Sequence, residues 1–230
     1  MTEKANRKTN IFLAGASRGV GREIAHCLVE KNCRVIALLR SSESRSQLES
    51  MGIQVVIGDA LDSLAVEAAM LSEGESIDAV ISTVGGLPKD GQRADYLGNK
   101  NLIDAAIKAK VKKFILISSI GSGDSAVALP PQVLEALRTV LVEKEKAEQH
   151  LLASGLTYTI IRPGELKSEP PTGNGILTEN HRVSGTIHRA DVAQLTLLCL
   201  FSQAANNKTL SAIDRNMMYG QGEVVELQLA

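Results

Sequence analysis

Six short runs of the chain are almost continuously apolar: NIFLA (10–14), RVIALL (34–39), IQVVIG (53–58), DAVIST (78–83), KFILIS (113–118) and TYTIIR (157–162). Their length and β-branched content predict strands buried on both faces. Between them, apolar residues return every three or four positions in GREIAHCLVEK (21–31), SLAVEAAML (63–71), LGNKNLIDAAIKAK (97–110) and VLVEKEKAEQHLLAS (140–154). That is the period of a helix with one face inward. Buried strands alternating with helices predict an α/β fold, a parallel sheet covered on both sides. Right-handed crossovers make it the doubly wound, Rossmann-type arrangement. The last third breaks the rhythm. SEPPTGNG (168–175) reads as a loop, followed by a strand, a helix over about 190–202 and a strand near TLSAID (209–214). The pattern predicts one domain over 10–230 behind a flexible stretch 1–9, with a small C-terminal portion covering the ligand crevice.

Composition narrows the function classes. The 230 residues carry a net charge of −1, which offers no electrostatic attraction for nucleic acid or anionic lipid. Aromatic residues make up 3% and there is no Trp, so a base-stacking surface is not expected. No apolar run approaches the ~20 residues of a membrane span, and the polar start MTEKANRKTN has no signal-like segment behind it. Cys27, Cys33 and Cys199 lack metal-ligand spacing and suggest no disulfide framework. His26, His150, His181 and His188 are scattered, and no metal site is expected. A reduced, cytoplasmic protein is the expectation. His188 is read as part of a helix start capped by Asp191 or a neighbour, and EKEKAEQ (143–149) as a solvated helix face.

The chemistry-bearing stretch is GASRGVG (15–21), which follows one predicted strand and opens the first predicted helix. In that context Gly15 permits a tight turn, Gly19 lets backbone approach a pyrophosphate, and Gly21 lets helix pack on strand. Ser17 and Val20 complete the loop. Free amides at the helix start favour anions. An NAD site would usually end the second strand in a carboxylate; here it ends in Arg40, followed by Ser41. A guanidinium suits a 2′-phosphate. Arg18 is expected to grip the same phosphate from the other side, which points to NADPH. Asp59 and Ala60 follow the third strand and suit an adenine edge. Thr83, Val84 and Gly85 follow the fourth and would let ribose pass over the backbone.

GASRGVG, GDALD (58–62), STVGG (82–86), KKFILISSIG (112–121) and EKAEQHLLASGLTYTIIRPGEL (145–166) together resemble the short-chain dehydrogenase/reductases over essentially the whole chain. They are most similar to the atypical, NmrA-like NAD(P)H-binding branch and, within it, to the flavin reductase/biliverdin-IXβ reductase group. The resemblance implies the Rossmann fold, an NADPH cofactor and a small-molecule acceptor. Aligning on Ala147-Glu148 and Ser154-Gly155-Leu156 makes Lys144 the family's lysine, and Val140 falls where the family's catalytic Tyr belongs. By the same match Ser119 is the candidate active-site donor, with Ser118 its rival. Either could instead simply end the strand. Lys144 binds the nicotinamide ribose or belongs to the solvated helix face. Pro163, Gly164 and Leu166 are expected beside the nicotinamide.

Without the tyrosine, reduction of a simple ketone lacks the acid that protonates the alkoxide, a group contributing roughly 10²–10⁴-fold. Flavins and linear tetrapyrroles delocalise the incoming electrons, so a weak donor or water suffices. An NADPH-dependent reductase of such an acceptor is the leading expectation. A non-catalytic NADP-binding redox sensor or assembly factor is the alternative. The polar 143–149 surface argues against a large apolar interface, and a monomer is expected.

Overall fold

The computed structural model describes residues 8–71, 76–86, 92–219 and 224–229. The six apolar runs become β1 (Asn10–Ala14), β2 (Arg34–Leu39), β3 (Gln54–Ile57), β4 (Ala79–Ser82), β5 (Lys113–Ile117) and β6 (Thr157–Pro163). Helices connect them: α1 (Gly19–Glu30), α2 (Arg45–Ser50), α3 (Ser63–Leu71), α4 (Leu97–Lys108) and α5 (Pro131–Leu152). In the last third β7 (Glu165–Lys167), β8 (Gly175–Thr178), β9 (Ser184–His188), α6 (Arg189–Phe201), β10 (Lys208–Asp214) and β11 (Met218–Tyr219) follow. Of the stretch expected to be flexible, residues 1–7 lie outside the described residues. Thr9 is tied down, its carbonyl accepting from Arg34 N at 3.0 Å.

The main sheet has the order β3-β2-β1-β4-β5-β6-β10-β8. All its pairings are parallel except β10 with β8. Strand order therefore runs outward in both directions from β1, which puts the ligand crevice at the carboxyl ends of β1 and β4. Alternate residues of β1 feed two different cores. Ile11 and Leu13 pack with Val20, Ile24 and Leu28 of α1 and with Val192 and Leu195 of α6. Phe12 and Ala14 pack with Val66, Leu102, Ile103, Ala147 and Leu151, drawn from α3, α4 and α5. Each large side chain so buried stabilises by roughly 1.5–3 kcal/mol, and the two-sided burial is why these strands show no polar alternation.

Two features were not readable as periodicity. α5 begins at Pro131 rather than near Val140, because residues 131–139 are mostly exposed and have no apolar stripe; proline in the first turn supplies a helical φ. β11, β9 and β7 form a separate three-stranded sheet of very short strands. It depends on a close approach at Gly164, where a Cβ would lie 2.2 Å from the carbonyl oxygen of Gly185.

The 168–174 loop is tied to α6 and β10. Asp191 accepts from the backbone amides of Thr172 and Gly173, both at 2.9 Å. Thr172 Oγ1 also donates to Asp214. This corrects the expected cap: His188 is the N-cap residue of α6, and no side chain caps that helix. Asp191 turns outward from the helix to anchor the loop.

Candidate functional site

A cleft of about 500 Å³ opens at the carboxyl ends of the central strands. Gly15, Ser17, Arg18, Gly19, Val20 and Gly21 form its floor between β1 and α1. The turn needs its glycines. Gly15 has φ +94°, and a Cβ there would sit 2.3 Å from Thr83 Oγ1. A Cβ on Gly21 would meet Gly15 O at 2.1 Å. Above Gly19 the space is open: among the described residues, a Cβ there would meet within 4 Å only the Arg189 side chain, whose Nε lies 3.7 Å away. α1 starts on Arg18 in extended conformation, with no side-chain cap and no acid in its first turn. Its first amides thus have no intrahelical acceptor, and a cation sits at the positive end of the dipole. A bound phosphate corrects both, so the cradle fits a dinucleotide pyrophosphate.

Arg40, with Leu38 and Leu39, lines the β2 flank. Arg40 is exposed, and among the described residues nothing pairs with its guanidinium. Arg18 also lines the cleft, but its Nη2 lies 3.8 Å from where a Cβ on Gly86 would be. Gly86 follows β4, on the opposite flank of β1 from Arg40, so the expected two-sided grip is not preformed. Ser41 points to solvent and does not line the cleft. Asp59 and Ala60 do line it. The Asp59 carboxylate accepts from Leu61 N at 2.9 Å, which orients it by its own turn.

Thr83, Val84 and Gly85 form the β4 rim. Thr83 Oγ1 donates to the carbonyls of Ala14 and Gly15 at 3.2 and 3.1 Å, so it locks the glycine turn to β4. Gly85 makes room for Asp95, whose Oδ1 would be 2.5 Å from a Cβ. The Asp95 side chain is fully buried and ion-paired with Arg93 at 3.2 Å and with Lys144 Nζ at 3.6 Å. Lys144 therefore enters the cleft instead of standing on a solvated face. Burial pulls its ammonium below the usual lysine range, against the opposing charge of Asp95.

Ser118 and Ser119 close the far end. Ser118 Oγ donates to Glu148 Oε1. Glu148 is 1% exposed and forms a two-armed pair with Arg162, through Nε at 3.1 Å and Nη2 at 2.7 Å. Arg162 continues to Asp124. The reading of 143–149 as a solvated face is thus corrected: Lys144 and Glu148, four residues apart on α5, both turn inward. That spacing was visible in the sequence, but nothing in the run marked which charges had buried partners. Ser119 Oγ donates to the carbonyl of Ile120 at 3.0 Å.

Val140 is half-buried and does not line the cleft. The chain has three tyrosines, and none of them lines it either. Tyr96 and Tyr158 pack against the core. Tyr219 hydrogen-bonds Glu165 at 2.6 Å and Thr186 at 2.8 Å. Leu166 reaches the cleft, whereas Pro163 and Gly164 do not. Pro163 is buried, its carbonyl accepting from Ile120 N at 2.9 Å, and Gly164 serves the approach to Gly185. Asp95, Glu148, Arg162 and Arg189 escaped the sequence reading. Among the described residues no His, Cys, Asp and Glu cluster could hold a metal, and no helix is long and apolar enough to cross a membrane.

Comparison with known proteins agrees with this geometry. A family model described as NAD(P)H-binding matches residues 15–203. The chain is similar to the solved structure of ChuY, an anaerobillin reductase from Escherichia coli O157:H7, at 32% identity and a TM-score of 0.82, covering 93% of this chain and all of that one. Sanguinarine reductase of Eschscholzia californica is 30% identical over 251 residues, 89% of this chain and 88% of its own. Protein TIC 62 of Pisum sativum, a chloroplastic protein, is 32% identical over 232 residues, and the chain spans 43% of its length. The glycine cradle, the doubly wound sheet and the family match agree: the chain belongs to the NAD(P)H-binding family of atypical, NmrA-like short-chain dehydrogenase/reductases.

Proposed function

We propose that the protein is an NADPH-dependent reductase that delivers hydride to a conjugated small-molecule acceptor such as a flavin or a linear tetrapyrrole. One observation carries this reading: the cleft holds Lys144, Ser118 and Ser119 but no tyrosine, and Val140 stands outside it. Carbonyl reduction would need a positioned acid; a conjugated acceptor needs chiefly alignment. Two relatives named as reductases, of anaerobillin and of sanguinarine, support a small-molecule acceptor.

Bound NADPH supplies the hydride; the chain supplies position and charge. Arg40 engages the 2′-phosphate, and the glycine loop holds the pyrophosphate. Ser118, whose proton is committed to Glu148, lines the cleft and would be left with acceptor capacity for the nicotinamide carboxamide. Lys144, steadied by Asp95, offsets negative charge arriving on the acceptor, and Ser119 lies within the same end of the cleft. The free thiols Cys27, Cys33 and Cys199 suit a reducing compartment such as the cytoplasm.

Anaerobic mixing of the protein with NADPH and excess FMN or biliverdin, followed by the loss of NADPH absorbance, tests the reading. Steady NADPH consumption is expected with these acceptors and none with simple ketones. Tight NADPH binding without turnover of any conjugated acceptor would refute it and favour a redox sensor.

A further inference from the structure

The pyrophosphate cradle has a second wall that the glycine motif does not contain. Arg189, the first residue of α6, projects back over the amino end of α1 and lines the same cleft. Its Nε stands 3.7 Å from the position a Gly19 Cβ would take, and its Cδ 3.9 Å. Nη1 donates to Leu166 O at 3.3 Å and to Ser168 Oγ at 2.7 Å, both neutral acceptors. Among the described residues no carboxylate pairs with it. The residue is only partly exposed, and both acceptors it holds are uncharged, so its positive charge is left for an anion entering the cleft.

Charge along the cleft shows what is missing. Arg40 stands on the β2 flank and Arg18 leans toward Gly86. Lys144 is matched by Asp95. A dinucleotide lying over Gly19 would bring two pyrophosphate charges to a stretch where, among the described residues, the Arg189 cation faces the helix amides across an open gap.

We infer that Arg189 is a pyrophosphate-binding residue, closing over the diphosphate bridge of the dinucleotide from the side opposite the α1 amides. The inference rests on dinucleotide binding at this cleft. Because the same guanidinium holds Leu166 O and Ser168 Oγ, it also joins the glycine loop to β7. Seating of the diphosphate is thereby coupled to the placement of Leu166 on the cleft wall. The interaction is sequence-distant: Gly19 and Arg189 meet only because α6 packs on α1.

The test is titration calorimetry of the full chain with two probes, NADP⁺ and adenosine 2′-monophosphate, the second lacking a pyrophosphate. For Arg189→Gln, NADP⁺ binding weakens by roughly tenfold to a hundredfold, the range for a lost charge-assisted contact. Adenosine 2′-monophosphate binds the variant as it binds the parent. Arg189→Lys keeps a charge without the planar fork and recovers part of the loss. Unchanged NADP⁺ affinity in Arg189→Gln, or equal weakening of both probes, overturns the inference. If Arg189→Gln does not fold, Arg189→Lys decides, and it must lose more with NADP⁺ than with the monophosphate. A parent protein that binds neither probe would instead reject the dinucleotide reading itself.

Discussion

Arg40 gives the sharpest test of cofactor choice, because its side chain is exposed and pairs with no other described group. Replacing it costs the fold little: surface changes of this kind stay within about 0.5 kcal/mol, or ~1–2 °C in Tm for a chain of this size. Binding is another matter. Losing a charge-assisted contact to the 2′-phosphate removes about 1.5–3 kcal/mol. In Arg40→Asp a carboxylate ~5 Å from a dianion adds roughly 1–2 kcal/mol of repulsion even at the dielectric of water. The sum is about 2.5–5 kcal/mol, roughly two to three and a half orders of magnitude in affinity. NADH has no 2′-phosphate and loses neither contribution. Fluorescence titration of parent and Arg40→Asp with NADPH and NADH therefore shows a collapse of NADPH affinity with NADH nearly unmoved. The weakening with NADPH diminishes as ionic strength rises. Parallel loss of both nucleotides, with Tm unchanged, refutes the assignment of Arg40 to the 2′-phosphate. Because Arg18 leans toward Gly86, Arg18→Ala is expected to discriminate less between the two cofactors than Arg40→Ala.

Three further outcomes follow from the buried parts of the site. Glu148→Ala strands Arg162, which is 6% exposed, and should destabilise by about 3–5 kcal/mol; an unchanged urea midpoint would show that Asp124 alone satisfies the guanidinium. Gly21→Ala places a Cβ against Gly15 O and should cost about 3 kcal/mol, the upper end for overpacking, while abolishing NADPH binding; wild-type melting and affinity would contradict the close approach. In acid, burial raises the Asp124 pKa, but hydrogen bonding and charge from Arg162 outweigh it and leave the pKa lowered. The stabilisation is then present above the ordinary carboxylate range and is lost as pH falls through the depressed folded value. Asp124→Asn should flatten that acid limb, and an identical pH–Tm profile would remove Asp124 from the account.

Much of this arrangement follows from local sequence. Continuous apolar runs alternating with helical periodicity point to strands buried on both faces of a layered α/β sheet, so β1 to β6 were readable from the pattern of apolar positions. A glycine turn between strand and helix has one common use, and GASRGVG announced its place. The missing tyrosine acid came through the family resemblance, whose alignment puts Val140, a side chain with no proton to give, at the tyrosine position.

What the chain could not declare locally is which distant segments meet. EKEKAEQ reads as solvated charge because charged residues usually face water; only the packing of α5 against β5 and β6 turns Lys144 to Asp95 and Glu148 to Ser118 and Arg162. Pro163-Gly164 looks like a ligand-facing turn until Gly185 is brought against it from residues further along the chain. Arg18 keeps its position in the motif, but its side-chain direction depends on where Gly86 lies. Arg189 belongs to no motif and gains its place from α6 lying on α1. Short-range periodicity records which residues must leave water, whereas a buried charge is settled by its partner, and that partner is chosen in three dimensions.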